Sequence, residues 1–247
     1  MLEICVADAA GLAAAIQGGA DRIELCAALE QGGLTPSAGL IAQAAGAAIP
    51  VHALLRPRAG DFVHDAAEEA ILAADLDHVA AAGLAGIVIG ASRPDGTLDT
   101  PLLHRLIARA EAASARRSRR LSLTLHRAFD LCPDLDVALD QAIALGFDRI
   151  LTSGGALTAL AGRDRLAALH ARAAGRIRLL AGSGVDVATI PILLGGGADE
   201  VHASARVPHV TDPRLVAFGF APPALRRTDT ATVAALAAAV AIAKKEA

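Results

Sequence analysis

The sequence predicts a (β/α)8 barrel of the α/β class on three grounds: the chain has the right length, it repeats internally, and strand and helix segments alternate eight times. Its 247 residues match the ~250 of one eight-fold α/β barrel, and 1–247 reads as a single domain. Hydrophobic residues make up 54% of the chain, which is enough for a large core. With five Phe and no Trp or Tyr, that core has to be aliphatic. The high Ala content favours closely packed helices.

The repeat is a glycine at a helix end followed by a short β-branched run. It appears as Gly19-Ala20-Asp21-Arg22-Ile23, Gly83-Leu84-Ala85-Gly86-Ile87, Gly146-Phe147-Asp148-Arg149-Ile150 and Gly197-Ala198-Asp199-Glu200-Val201. The glycines lie 64, 63 and 51 residues apart. Glycine just past a helix end takes the left-handed conformation that stops the helix, and a strand then begins. These copies mark the even strands. The odd strands are expected at 2–6, 51–55, 121–125 and 177–181, and the helices at 9–17, 37–47, 66–81, 101–115, 134–144, 158–173, 187–194 and 230–244. Alternating strands and helices demand a parallel sheet with right-handed crossovers, and quarter-turn repetition closes it. An open dinucleotide-binding sheet is the alternative, but no Gly-x-Gly-x-x-Gly follows the first strand. One stretch departs from the pattern: 206–227 carries Pro208, Pro213, Pro222 and Pro223 and cannot be helical throughout. A connection of that length is expected to be a lid, an arm or an interface.

Charge and cysteine usage exclude several roles. With 23 basic and 26 acidic residues and a net charge of −3, no field draws in nucleic acid or an anionic membrane. The one basic run, Arg116-Arg117-Ser118-Arg119-Arg120, precedes a strand and reads as a solvated end opposite the active face. Apolar runs are interrupted well short of the ~20 residues that span a bilayer. The first residues enter a strand with no basic region before it, unlike a signal peptide. Cys5, Cys26 and Cys132 form no disulfide framework, which favours a reducing compartment and a cytoplasmic location.

In this fold the C-terminal ends of the strands build the functional face, and side chains alternate in and out along each strand. Strand one offers Glu3 and Cys5, and strand two Arg22, Glu24 and Cys26. Strand three offers His52 and Arg56, then Arg58 and Asp61; strand five offers Thr124 and His126, then Arg127 and Asp130. Ionisable groups at such positions are costly to bury unpaired, so they should form a network, and their convergence at one end marks a site. Glu24 and His126 are the candidate acid and base. Arg56 and Arg127, with Asp130, are candidates for binding a small substrate. The turn Thr152-Ser153-Gly154-Gly155 follows strand six, and Ala181-Gly182-Ser183-Gly184-Val185 follows strand seven. Ser153, Gly154, Gly182 and Gly184 are expected to offer backbone N–H groups to an anion there. Tight turning alone is the other explanation for small residues at these places. Cys5 and Cys26 end neighbouring strands, ~4.8 Å apart. Two thiolates suit Cu(I), whereas a free Cys is also a common small buried hydrophobe.

These motifs resemble the CutC family, long described as copper homeostasis proteins. The resemblance rests on Leu2-Glu3-Ile4-Cys5-Val6, on Gly18 to Cys26, on Gly32-Gly33-Leu34-Thr35-Pro36-Ser37, on Arg56 to Phe62, on His126-Arg127-Ala128-Phe129-Asp130 and on Arg149 to Gly154. It covers about residues 1 to 205. It implies a cytosolic barrel, commonly a homo-oligomer, with Cu(I) at Cys5 and Cys26 and no metal role for Cys132. Three functions stay open: a copper-binding protein, an acid/base enzyme acting on a small polar or anionic metabolite, and a binding or assembly module.

Overall fold

The computed structural model describes residues 1–117 and 119–246; Ser118 of the basic run and Ala247 lie outside the described residues. Strand and helix alternate from β1 (Leu2–Val6) and α1 (Ala9–Gln17) through β2 (Arg22–Leu25), α2 (Ala38–Ala44), β3 (Val51–Leu54), α3 (Ala66–Ala81), β4 (Gly86–Ile89) and α4 (Thr100–Ala115). They continue through β5 (Ser122–Leu125), α5 (Leu135–Ala144), β6 (Arg149–Thr152), α6 (Arg163–Ala173), β7 (Arg178–Ala181), α7 (Ile190–Gly195) and β8 (Glu200–Ala203). The eight strands form one closed parallel barrel in sequence order, β8 pairing back onto β1 with Glu3 beside His202. The chain is a (β/α)8 barrel. No described helix is long and apolar enough to cross a membrane.

Short polar side chains set the helix starts. Asp8, Ser37, Asp65, Asp99 and Asp134 each accept from a first-turn N–H of the helix that follows, satisfying donors that would otherwise be orphaned. Two helices begin later than the sequence suggests. Before α7, Asp186 and Thr189 exchange side-chain to backbone bonds of 2.9 and 2.8 Å, so 187–189 form a turn instead. Before α6, Thr158 accepts from Ala161 N and Gly162 N, so the helix starts at Arg163 rather than 158. At its other end α2 stops at Ala44, short of the expected 47.

The repeat has a structural reason at each position. Gly19, Gly83, Gly146 and Gly197 all take positive φ, between 81° and 102°, which a side chain would strain. Two residues on, Asp21, Asp148 and Asp199 each accept from the N–H of the preceding odd strand, at Leu2, Leu123 and Leu179, at 2.7 Å in every case. The same aspartates donate their own N–H back to the carbonyls of those residues. Each even strand is thus clipped to the odd strand before it. The second copy has Ala85 and keeps only the backbone half, donating to Val51 O.

One residue further, Arg22, Gly86, Arg149 and Glu200 point inward from the four even strands. Alternate strands of such a barrel fill its interior in layers, and this layer is ionic. Arg22 bonds Glu3 and also Glu200, at 2.5 Å to the latter, while Arg149 lies 3.4 Å from Glu200. His52 occupies the space that Gly86 leaves: a Cβ there would sit 2.7 Å from the His52 ring.

After β8 the chain leaves the barrel. The Pro-rich connection forms a two-stranded antiparallel ribbon of β9 (Arg206–Pro208) and β10 (Arg226–Thr228), with the short α8 (Pro213–Ala217) between them, before α9 (Thr230–Glu246) packs against α1 and α7.

Candidate functional site

A cavity of about 440 Å³ opens at the C-terminal ends of the strands. One layer above the ionic floor, the even strands contribute Glu24, Val88, Leu151 and His202 by alternation. Glu24, Leu151 and His202 line the cavity, together with Cys5 and Cys26 on one side and Arg56, Phe62 and His126 on another.

The most tightly connected part is a chain of four side chains. Arg22 holds Glu3, Glu3 Oε1 meets His202 Nδ1 at 2.7 Å, and His202 Nε2 lies 3.3 Å from Glu24 Oε2. A protonated imidazole donates on both sides, which suits two carboxylate partners. Burial opposes the charge on His202, but Cys5, Glu24 and Glu3 around it raise its pKa well above the usual value. The two glutamates go opposite ways. Burial penalises ionised Glu3, yet Arg22 and His202 hold it well below the usual carboxylate range. Burial pushes Glu24 up to about 7; His202 opposes the rise and Glu3 adds to it. Glu3, Glu24 and His202 also place one ligand atom each within 4.8 Å of one another. Their mutual bonds already account for that approach.

Glu24 was expected to work with His126, but the histidine it contacts is His202. The sequence carried the signal: Glu200 and His202 alternate on β8 as Glu3 and Cys5 do on β1. What it did not carry was the closure that brings strand eight beside strand one. His126 sits elsewhere on the wall, 5% exposed. Its Nδ1 accepts from Ala128 N at 3.1 Å, so the neutral ring carries its proton on Nε2. Burial, and then Arg56, push its pKa down to about 3. Of the two, the Glu24 carboxyl is the one raised to about 7 and the His126 ring the one held neutral.

The expected anion-binding turn after β6 is corrected too, because it already holds an anion. Asp130 accepts from Thr152 Oγ1 at 2.5 Å, from Ser153 N and Oγ at 3.1 Å and from Gly155 N at 3.0 Å. Arg127 joins the cluster through Asp130 at 2.8 Å and Ser153 Oγ at 2.8 Å. Gly154 N turns to Thr152 Oγ1. Asp130, Ser153 and Gly154 lie outside the cavity lining, while Arg127 reaches it. Of the second turn, Gly184 lines the cavity and Gly182 does not; a Cβ on Gly182 would lie 2.6 Å from Leu151 Cδ1.

Cys5 and Cys26 line the same cavity and both are buried. Cys26 Sγ donates to Val6 O at 3.4 Å, and burial pushes its thiol far up. Cys132 lies apart, capping the turn after β5 against Ala128 O.

Residues 1–207 match the CutC family. The family protein CutC of Sinorhizobium medicae is 51% identical over 240 residues, covering 96% of this chain and 95% of the relative. That of Caulobacter vibrioides is 51% identical over 238 residues, covering 95% and 94%. Among solved structures, a CutC protein of Streptococcus agalactiae, named for copper homeostasis, superposes with a TM-score of 0.76 at 28% identity, covering 83% of this chain and 98% of that one. On these matches, and on a barrel that carries Cys5 and Cys26 at its mouth, the chain belongs to the CutC family.

Proposed function

We infer that the barrel mouth is the active site of an enzyme that moves a proton on a small polar or anionic metabolite. One arrangement carries it: at the cavity His202 stands between two buried carboxyls, Glu3 at 2.7 Å and Glu24 at 3.3 Å, and burial pushes the cavity-facing Glu24 up to about 7. Paired titratable groups whose environments drive them apart are how one site keeps an acid and a base together. Glu24 takes or returns the proton. His202, fixed by Glu3, stabilises the Glu24 carboxylate when it forms. Arg22 keeps Glu3 ionised, so His202 stays charged and oriented.

The test is deuterium incorporation from heavy water into a pool of small polar metabolites, read by mass spectrometry. Wild-type protein is expected to label at least one compound, with a rate that follows a group of pKa about 7. Glu24→Gln should lower that rate by about 10²-fold or more. No labelled compound, or full activity in Glu24→Gln, removes the reading.

A second reading, Cu(I) as cargo, is favoured by the placement of Cys5 and Cys26 on one cavity. The donor set fits a soft monovalent ion. Because the Cys26 thiol is held protonated by burial, Cu(I) has to displace a proton, and its affinity should rise with pH. Competition with a Cu(I) chelator is the measurement. Replacing Cys5 and Cys26 together with Ser should abolish tight binding, and Cys132→Ser should leave it unchanged. Undiminished affinity in the double variant removes copper from this site.

A further inference from the structure

We propose that the Arg56–His126 wall of the cavity is an oxoanion subsite, which holds a carboxylate or phosphate group of the molecule whose other end meets Glu24. This deepens the proton-transfer reading and rests on it for the second half of that statement.

Among the described residues three buried arginines stand in the barrel. Arg22 and Arg149 have carboxylate partners, whereas Arg56, 6% exposed, has none among the described residues. The charged group that acts on it is another cation, Arg58. A guanidinium has five N–H donors. Nη1 donates to Gln31 O at 2.9 Å and Gly33 O at 3.1 Å, and Nη2 donates to Gly60 O at 2.7 Å. Nε–H has no partner, and Nη2 has one acceptor for its two hydrogens. Adjacent Nε and Nη donors form the fork that grips two oxygens of one oxoanion.

His126 repeats the pattern. Its Nε2 carries the proton, and that donor is buried without an acceptor. Both pack on Phe62: the Arg56 guanidinium carbon lies 4.9 Å from its ring centre, and the His126 ring centre lies 4.6 Å from it. Arg56, Phe62 and His126 all line the one cavity. A buried cation lacking a counterion and a buried donor lacking an acceptor are both costly, and one oxoanion answers both. A cation or a hydroxyl-only ligand does not.

The full chain is titrated with inorganic phosphate and, separately, with acetate at matched ionic strength, following the Nε2 proton and nitrogen of His126 by NMR. At least one anion is expected to shift that signal saturably, and which one does so separates phosphate from carboxylate. Sodium chloride should not shift it. Arg56→Lys keeps the charge but loses the fork, so binding should weaken about tenfold or more. Glu24→Gln should bind at least as tightly as wild type. A signal that no oxoanion moves, or that chloride moves equally, overturns the subsite, as does undiminished affinity in Arg56→Lys. Arg56 also ties three loop carbonyls, so if Arg56→Lys does not fold, the wild-type titration alone carries the test. Anion binding without any turnover leaves the subsite standing and removes the proton-transfer reading. Turnover of uncharged compounds only, with no anion bound, does the reverse.

Discussion

Glu3 and Glu24 show how strongly position decides chemistry. They lie two registers apart on adjoining strands and touch opposite nitrogens of one histidine. Glu3 has an arginine on its far side and stays ionised; burial raises Glu24, which has no arginine in contact among the described residues, to about 7. The sign of the linkage follows. A carboxyl whose folded pKa lies above its unfolded value adds stability below that unfolded value and loses it as pH rises through the folded one. Glu24 therefore weighs against the fold between about pH 5 and 8, while Glu3 supports the fold throughout that range and stops doing so only as acid protonates it. Urea unfolding of wild type and Glu24→Gln at pH 5 and pH 8 is the check. The variant is expected to gain on wild type as pH rises, and an unchanged difference would mean that Glu24 titrates alike folded and unfolded. Sequence alone could place Glu24 on the inner face, because alternation along β2 does so. It could not give the state of the carboxyl, which depends on His202 from a strand 178 residues later.

At the scale of elements, the glycine of each repeat was legible and the aspartate was not. Glycine obeys a local rule, since the chain must turn left-handed to leave a helix. Asp21, Asp148 and Asp199 serve a contact between strands about 20 residues apart or more, which no local window contains. Their geometry predicts a size for the loss. Asp148 accepts from Leu123 N at 2.7 Å, Ser122 Oγ at 3.0 Å and Arg120 Nη1 at 2.8 Å. Asp148→Ala leaves a strand N–H and a hydroxyl without their acceptor at the foot of the barrel, and should cost about 1–3 kcal/mol in chemical denaturation. Asp148→Asn retains an acceptor oxygen and should lose less. Equal losses in the two variants would put the effect on charge rather than on the clip. The same contrast explains the helix starts. Asp65 with Glu68 is a local signature and α3 begins where expected, whereas the turn before α6 depends on how 158–162 packs around the end of β6.

For the molecule as a whole, the arm raises a question the barrel does not. The family model ends at residue 207, although relatives align over as many as 240 residues, and past 207 the described chain exposes Val210, Phe218 and Phe220 at 94%, 75% and 79%. Two of the five Phe in the chain are spent there, stacked on each other at 6.2 Å rather than packed in the core. Exposed aromatic surface of this kind is a mark of contact with another protein surface, and in a two-fold assembly the same patch serves both copies. The arm is not remote from the site. Arg206 begins it, lines the cavity and pairs with Glu30 at 3.1 Å, so a copy held on the arm would also fix one edge of the mouth. Sedimentation of the full chain is expected to give more than the mass of one chain. Phe218→Ser with Phe220→Ser should return it to one chain that still unfolds cooperatively, because neither ring contributes to the core, with a melting temperature lower only by what assembly adds. An assembly that persists in the double variant would place the contact elsewhere on the barrel, and a wild-type protein that sediments as one chain would leave the two rings without a partner of their own kind.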